Sequence, residues 1–386
     1  MTTLRSPTPS GVPQRLAAAR SGSPRLGRGI DSALPALQAL CPEELAFIAE
    51  IDLGEARKIV ALVHRGEPLP KRSPSEVRRA SLDRVRARTS LPTLALLART
   101  PSTMDAFVKY GLVTGEGVIE SVQIPLERPG RVSVCVSSQI GCALGCSFCA
   151  TGRMGLLRNL RAWEIVEQVR IVRRDLSPGV RVHGVVFQGM GEPLANWQEV
   201  RQAARVLSES AAQAIDARNI TISTAGLPAG IRDLAAFLPN VRLAISIGSP
   251  RSDVRRTLIP IDAVHPLDAV LAAVGDHTVA TRHAPLFAYT LLAGKNDTLD
   301  DARALARIAK DFANRYGKRP RLSLIPYNSI GPGDPYERTD AITEARFRDA
   351  IVAEGVIPTR RYSGGADVAA ACGQLAARSI DGSIVS

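Results

Sequence analysis

From about residue 130 the chain alternates short β-branched runs with amphipathic stretches of helical period. The runs Arg131–Val136, His183–Gln188, Asn219–Ser223, Val241–Ser246, Pro285–Leu291 and Arg321–Ile325 predict strands. Apolar residues spaced three and four apart predict helices near 162–175, 197–213, 228–237, 264–274 and 299–315. Strands alternating with helices form βαβ units on a parallel sheet. Six such strands are too few to close an eight-stranded barrel, so the expected fold is α/β, an open, partial (β/α)6 TIM-like barrel. In sheets of this kind the chemistry collects at the carboxyl ends of the strands.

The chain upstream has a different texture. Ser73-Pro74 predicts a helix start, with Ser as N-cap and Pro in the first turn. Val77, Leu82 and Val85 would face a core, leaving the arginines of this segment outside. A small helical, basic module over residues 31–104 is therefore expected before a core of residues 105–376. Residues 1–30 carry five Arg, four Pro and no acid, a composition that cannot bury a core and predicts a disordered basic arm. Residues 377–386 form a short tail.

Charge sharpens this division. The 386 residues are enough for about two domains and carry 49 Lys and Arg against 37 Asp and Glu, a net charge of +12. Ten of those twelve charges come from two segments, residues 1–30 and 71–88. Such clustering points to a polyanionic partner, nucleic acid first, with a merely solvated basic face as the alternative. Only 16 aromatic residues are present, which favours contact with a nucleic-acid backbone over extensive base stacking. No run reaches the roughly 20 apolar residues that cross a bilayer, and no apolar leader segment precedes the core. A monomer in the cytoplasm, with no membrane partner, is expected.

Six cysteines carry the chemistry: Cys41, Cys135, Cys142, Cys146, Cys149 and Cys372. Cys142, Cys146 and Cys149 follow directly on the first of the predicted strands, in Gly-Cys-Ala-Leu-Gly-Cys-Ser-Phe-Cys. Three thiolates at this spacing can wrap one metal centre, and soft sulfur selects zinc or an iron–sulfur cluster. A structural zinc would want a fourth Cys or His nearby, and none is in place. A 4Fe–4S cube held by three cysteines keeps one iron open to a small molecule. Cys41, in Leu40-Cys-Pro-Glu-Glu, reads as a plain buried thiol.

The stretch Val134–Gly152 with Arg158-Asn159-Leu160, Gln188–Leu194 and Ala371-Cys-Gly-Gln-Leu375 resembles the RlmN/Cfr family of radical S-adenosylmethionine (SAM) methyltransferases, which methylate adenine in RNA. The resemblance runs from about residue 105 to 376. It implies a radical SAM partial barrel, a 4Fe–4S cluster on Cys142, Cys146 and Cys149, two SAM molecules per turnover, and an electron donor such as flavodoxin or ferredoxin. It further implies that Gly191, Glu192, Ser223, Ser246 and Asn328 contact SAM, the glycines of Gly189-Met190-Gly191 allowing close backbone approach. Cys372 would take a methyl from the first SAM and pass it, through a covalent enzyme–RNA adduct, to a ring carbon of adenine. Glu120 would accept the ring proton, and Cys135 would release the product by forming a transient disulfide with Cys372. Carbon 2 of an adenine in ribosomal or transfer RNA is the expected position.

Two positions depart from the family pattern. Gly248 stands where the family carries His, and Gly364 stands where it carries Arg near the base. These changes leave open a radical SAM methylase of a non-RNA substrate. A non-catalytic iron–sulfur protein that binds nucleic acid is a further alternative, which the retention of both Cys135 and Cys372 disfavours.

Overall fold

The computed structural model describes residues 34–376. The basic arm and the short tail expected at the two ends lie outside the described residues. Three helices come first: α1 (Pro42–Ala49), α2 (Leu53–His64) and α3 (Arg79–Arg88). They bury Leu45, Ile59, Val63, Val77, Leu82 and Val85 in a core of their own, as the apolar pattern requires.

Helix α3 begins at Arg79 and not at Ser73, and the reason lies in α2. Buried Glu55 accepts the Arg78 backbone N–H at 2.6 Å, the Arg78 guanidinium at 2.8 Å and the Ser81 hydroxyl at 2.8 Å. A carboxylate on a neighbouring helix thus caps α3, doing what a Ser at the N-cap usually does. These bonds, the Arg78 side chain foremost, pull the Glu55 carboxyl down to about 2. The basic segment is consequently only partly free: Arg78 is held by Glu55, Arg86 by Asp83 and Arg88 by Glu50, while Lys71, Arg72 and Arg79 stand exposed, Arg79 with a long 3.9 Å contact to Asp83.

Four antiparallel strands follow: β1 (Ala95–Pro101), β2 (Val108–Val113), β3 (Val118–Pro125) and β4 (Arg131–Val136). A small hairpin of β5 (Gln139–Gly141) and β6 (Leu156–Asn159) encloses the cysteine loop and α4 (Ala150–Arg153). The chain then runs α5 (Ala162–Asp175), β7 (Arg181–Phe187), α6 (Trp197–Ser208), β8 (Ile220–Thr224), α7 (Pro228–Phe237), β9 (Arg242–Ser246), α8 (Ser252–Leu258), α9 (Leu267–Thr281), β10 (Leu286–Leu291), α10 (Leu299–Tyr316), β11 (Arg321–Pro326), α11 (Ala341–Ala353) and β12 (Pro358–Arg360).

The main sheet has ten strands in the order β1-β2-β3-β4-β7-β8-β9-β10-β11-β12. From β4 onward every pairing is parallel, so the six expected strands form the middle of the sheet in their sequence order. The sheet stays open, which is the partial barrel. Periodicity did not announce its antiparallel edge, β1 to β2, nor the short β12.

The helical module is bound to the barrel by named polar contacts. Arg170 of α5 donates to the Val63 carbonyl at 2.8 Å, where α2 is ending. Gln202 of α6 donates to the Ala39 carbonyl at 2.8 Å and to Glu44 at 2.7 Å. No helix of the described residues is long and apolar enough to cross a membrane.

Replacing Glu55 by Ala removes the cap of α3 and should cost about 1–2 kcal/mol, measured by denaturant unfolding. Because folding lowers the pKa of Glu55, its stabilisation is complete above the ordinary carboxyl value of 4.5 and fades as pH falls toward about 2. The difference in stability between wild type and Glu55→Ala should shrink over that window.

Candidate active site

The site is built on loops at the carboxyl ends of β4, β7, β8, β9 and β11. One cavity there is lined by Cys142, Cys146 and Cys149 together with Gly191, Glu192, Ser223 and Ser246. The three thiols are held by a tight chain path. The Cys142 N–H donates to the Gly155 carbonyl at 2.7 Å, and the Cys149 N–H to the Cys146 carbonyl at 3.1 Å. Gly152 is required here, since a Cβ would stand 2.7 Å from the Cys146 carbonyl oxygen.

Burial pushes all three thiols above their usual range, Cys142 to about 12, and their mutual repulsion as thiolates raises Cys146 further. Ligation there must exchange thiol protons for metal. None of the three is in a disulfide. Among the described residues no three Cys, His, Asp or Glu groups converge on a single metal ion. Three cysteines lining one cavity can each ligate a different iron of a cube and leave the fourth iron open to a small molecule.

Glu192 lines the same cavity as the thiols. It is buried, which raises its pKa, and its carboxylate accepts the Leu194 N–H at 3.0 Å and the Ala225 N–H at 2.9 Å. Two backbone donors and the Thr224 hydroxyl partly offset the cost of burying the charge. Gln139 places Glu192 by accepting its backbone N–H at 2.8 Å, and Gln139 in turn donates to Asn159 at 2.7 Å. Gly191 has φ +98°, and a Cβ there would stand 2.5 Å from the Gln139 Cβ. Its freedom lets the chain after β7 pass close to Gln139 of β5 while Gly191 lines the cavity.

The floor beneath Ser223 and Ser246 rests on Arg255, which sequence reasoning missed. This fully buried guanidinium donates to the Ile247 and Ala225 carbonyls, both at 2.9 Å, and pairs with buried Asp262. It ties the ends of β8 and β9 together. Gly248, the position lacking the family His, has φ +71°, and a Cβ would stand 2.7 Å from the Ile259 side chain. Its carbonyl accepts the Asn296 amide at 2.7 Å.

A second cavity lies beside the first, and Cys372 and Gly373 line both. Cys135, Val122, Ile124 and Arg361 also line the second. Cys135 is buried on β4 opposite Val122 of β3, and burial with the neighbouring Cys372 pushes its thiol to about 12. Glu120 shares a strand face with Val122 and Ile124. Its buried carboxylate lies 3.2 Å from Lys109 Nζ on β2 and accepts the Ala376 N–H at 2.9 Å. Lys109 was not singled out from sequence; only its register beside a strand Glu could have marked it.

The segment bearing Cys372 is fastened to the cysteine loop. The Ala150 N–H donates to the Gly373 carbonyl at 2.8 Å, and the Thr151 hydroxyl bonds the Leu375 carbonyl. Asn328, expected at SAM, bonds this segment as well. Its amide donates to Ser363 Oγ at 2.7 Å and approaches the Cys372 carbonyl at 3.5 Å. Cys41 is buried away from the site at the N-cap of α1, its thiol pushed to about 12.

Comparison with known proteins agrees with this geometry. Residues 136–311 match the model of the Radical SAM superfamily. A radical SAM methyltransferase from Sphaerobacter thermophilus superposes with a TM-score of 0.79 at 34% identity, over 89% of this chain and 100% of that one. The fold is that of a radical SAM methyltransferase. The chain is 59% identical over 357 residues to a "Probable RNA methyltransferase" of Sorangium cellulosum, spanning 87% of this chain and 91% of that protein. It is 40% identical over 268 residues to the "Dual-specificity RNA methyltransferase RlmN" of Syntrophobacter fumaroxidans, spanning 69% of this chain and 75% of that protein. The chain belongs to the RlmN family of radical SAM RNA methyltransferases. Its cofactors are a 4Fe–4S cluster and SAM.

Anaerobic reconstitution should load about four irons per chain in the wild type, as one cube demands. Changing Cys142, Cys146 or Cys149 singly to Ala should remove most of that iron, measured by iron and sulfide analysis. Cys41→Ala should load like the wild type.

Proposed function

We propose that this enzyme methylates carbon 2 of an adenine in ribosomal or transfer RNA, with Cys372 carrying the methyl group. The observation that carries the reading is that Cys372 lines both cavities, the first with the three clustered thiols and the second with Cys135, Cys149 also bordering both.

Cys142, Cys146 and Cys149 would hold the cluster, which when bound supplies the single electron for cleaving SAM. Glu192, in the same cavity, would orient SAM by accepting bonds from its ammonium group, with Gly191, Ser223 and Ser246 shaping the remaining wall. Cys372 first displaces the methyl from one SAM, losing its thiol proton to solvent. The S-methyl then gives a hydrogen atom to the cleaved adenosyl group of a second SAM. Its carbon would add to the adenine ring, and the adduct would give one electron to the oxidised form of a one-electron carrier of flavodoxin or ferredoxin type and the ring proton to Glu120. Lys109, 3.2 Å away, would hold the Glu120 carboxylate in place for this step. Cys135 as thiolate attacks the Cys372 sulfur. The carbon–sulfur bond breaks, the carbon keeps the electron pair and takes a proton, and a disulfide remains. Two electrons from a small redox protein, of flavodoxin or ferredoxin type, or from a thiol reductant would reopen it.

Reconstituted enzyme given SAM, reductant and unmethylated ribosomal and transfer RNA should yield methyladenosine by nucleoside mass spectrometry, and Cys372→Ala should yield none. Cys135→Ala should accumulate protein cross-linked to RNA. Unmodified RNA alongside continued SAM cleavage would move the substrate outside RNA.

The exposed members of the basic segment are the natural phosphate contacts. Changing Lys71, Arg72 and Arg79 together to Ala should weaken RNA binding and reduce the slope of log affinity against log salt by about 3. Binding isotherms across a salt series measure it.

A further inference from the structure

The wall of the second cavity holds an aromatic group that the steps above do not use. Tyr362 lines this cavity and is 66% exposed. An exposed tyrosine is usually free to turn, yet this one is fixed. Its hydroxyl donates to Asp105 Oδ2 at 2.9 Å, and the same carboxylate accepts the Gly365 N–H at 2.9 Å and the Phe107 N–H at 3.1 Å. Phe107 supports the ring, with centroids 6.0 Å apart at an interplanar angle of 57°. The orientation of Tyr362 is thus paid in advance, as a binding platform requires.

Other exposed aromatic rings are differently placed. Phe237 is covered by the Arg201 guanidinium, 4.8 Å from its centroid, and Phe47 stands on α1 in the helical module. Tyr362 alone of these three borders a cavity shared with Cys372.

Gly364 explains why an aromatic serves here. A Cβ at this position would stand 2.5 Å from Asp105 Oδ2 and 2.6 Å from the Tyr362 ring, and it would also meet Phe107. The braced Tyr362 and a side chain at residue 364 are mutually exclusive without a local shift. The cavity is thus bordered by the Tyr362 ring beside a residue 364 that carries no side chain. A flat, electron-poor heterocycle matches the face of that ring, and stacking on an aromatic ring is a main source of affinity for unpaired bases.

We infer that Tyr362 is the stacking platform for the target adenine, holding the flipped base against Cys372. This rests on the reading of the protein as an adenine methylase of RNA. It adds a specificity-determining residue to that reading, in the second cavity.

The test compares Tyr362→Ala, Tyr362→Phe and wild type as reconstituted holoenzymes, on ribosomal and transfer RNA transcribed in vitro. The steady-state methylation rate is followed against RNA concentration. Tyr362→Ala should raise the KM for RNA about tenfold or more, as loss of one stacked base implies, with a much smaller change in kcat. Tyr362→Phe keeps the ring and loses only the bond to Asp105, so its KM should stay within about threefold of wild type on the loss of one exposed hydrogen bond. If Tyr362→Phe loses as much as Tyr362→Ala, the residue is a brace for the Cys372 segment and the inference falls. A fall in kcat for Tyr362→Ala at unchanged KM overturns it too. Wild-type enzyme that cleaves SAM but methylates no RNA would instead defeat the reading beneath it.

Discussion

The whole site depends on a backbone contact between two segments more than two hundred residues apart. The first turn after Cys149 is bonded to the segment bearing Cys372 through Ala150 to Gly373 and Thr151 to Leu375. Ala376 is tied in addition to Glu120 on β3. Three elements with no sequence proximity are thereby set around one sulfur. In each bond the Cys372 segment contributes a backbone group, which has little freedom of its own and so places the chain.

Around that clamp the protein buries charge and compensates it locally. Arg255 and Asp262 pair in the floor, and the Ala225 carbonyl to which Arg255 donates belongs to the residue whose N–H reaches Glu192. A buried pair of this kind contributes little net stability, but removal of one member strands the other. Its service is to fix the ends of β8 and β9, and through them the carboxylate that shares a cavity with the cluster thiols. Catalytic geometry here rests on groups that touch nothing that reacts.

Sequence made the central strands and the chemistry legible for different reasons. The strands β4 and β7 to β11 are buried on both faces, so their β-branched runs are continuous and their boundaries fell within two residues of the observed ones. The cysteines were legible because thiols at fixed spacing in a loop have few other uses. What stayed hidden is what tertiary contact supplies. The start of α3 was misplaced because its cap comes from Glu55 on another helix. Arg255 and Lys109 look like ordinary basic residues until the fold buries one and sets the other beside Glu120. Gly191 is legible as a glycine in a loop, but only the fold sets Gln139 close beside it.

The crowding at Gly364 has a consequence for how such sites change over time. Because Asp105, Phe107 and Tyr362 occupy the space a side chain at 364 would need, the route between the two arrangements is a coupled one. An arginine introduced alone would meet a filled wall, and a smaller residue at 107 or 362 introduced alone would leave a hole. Two lineages that solved the same recognition problem with a cation or with a ring would therefore be separated by a valley. Neither could borrow the other's residue singly.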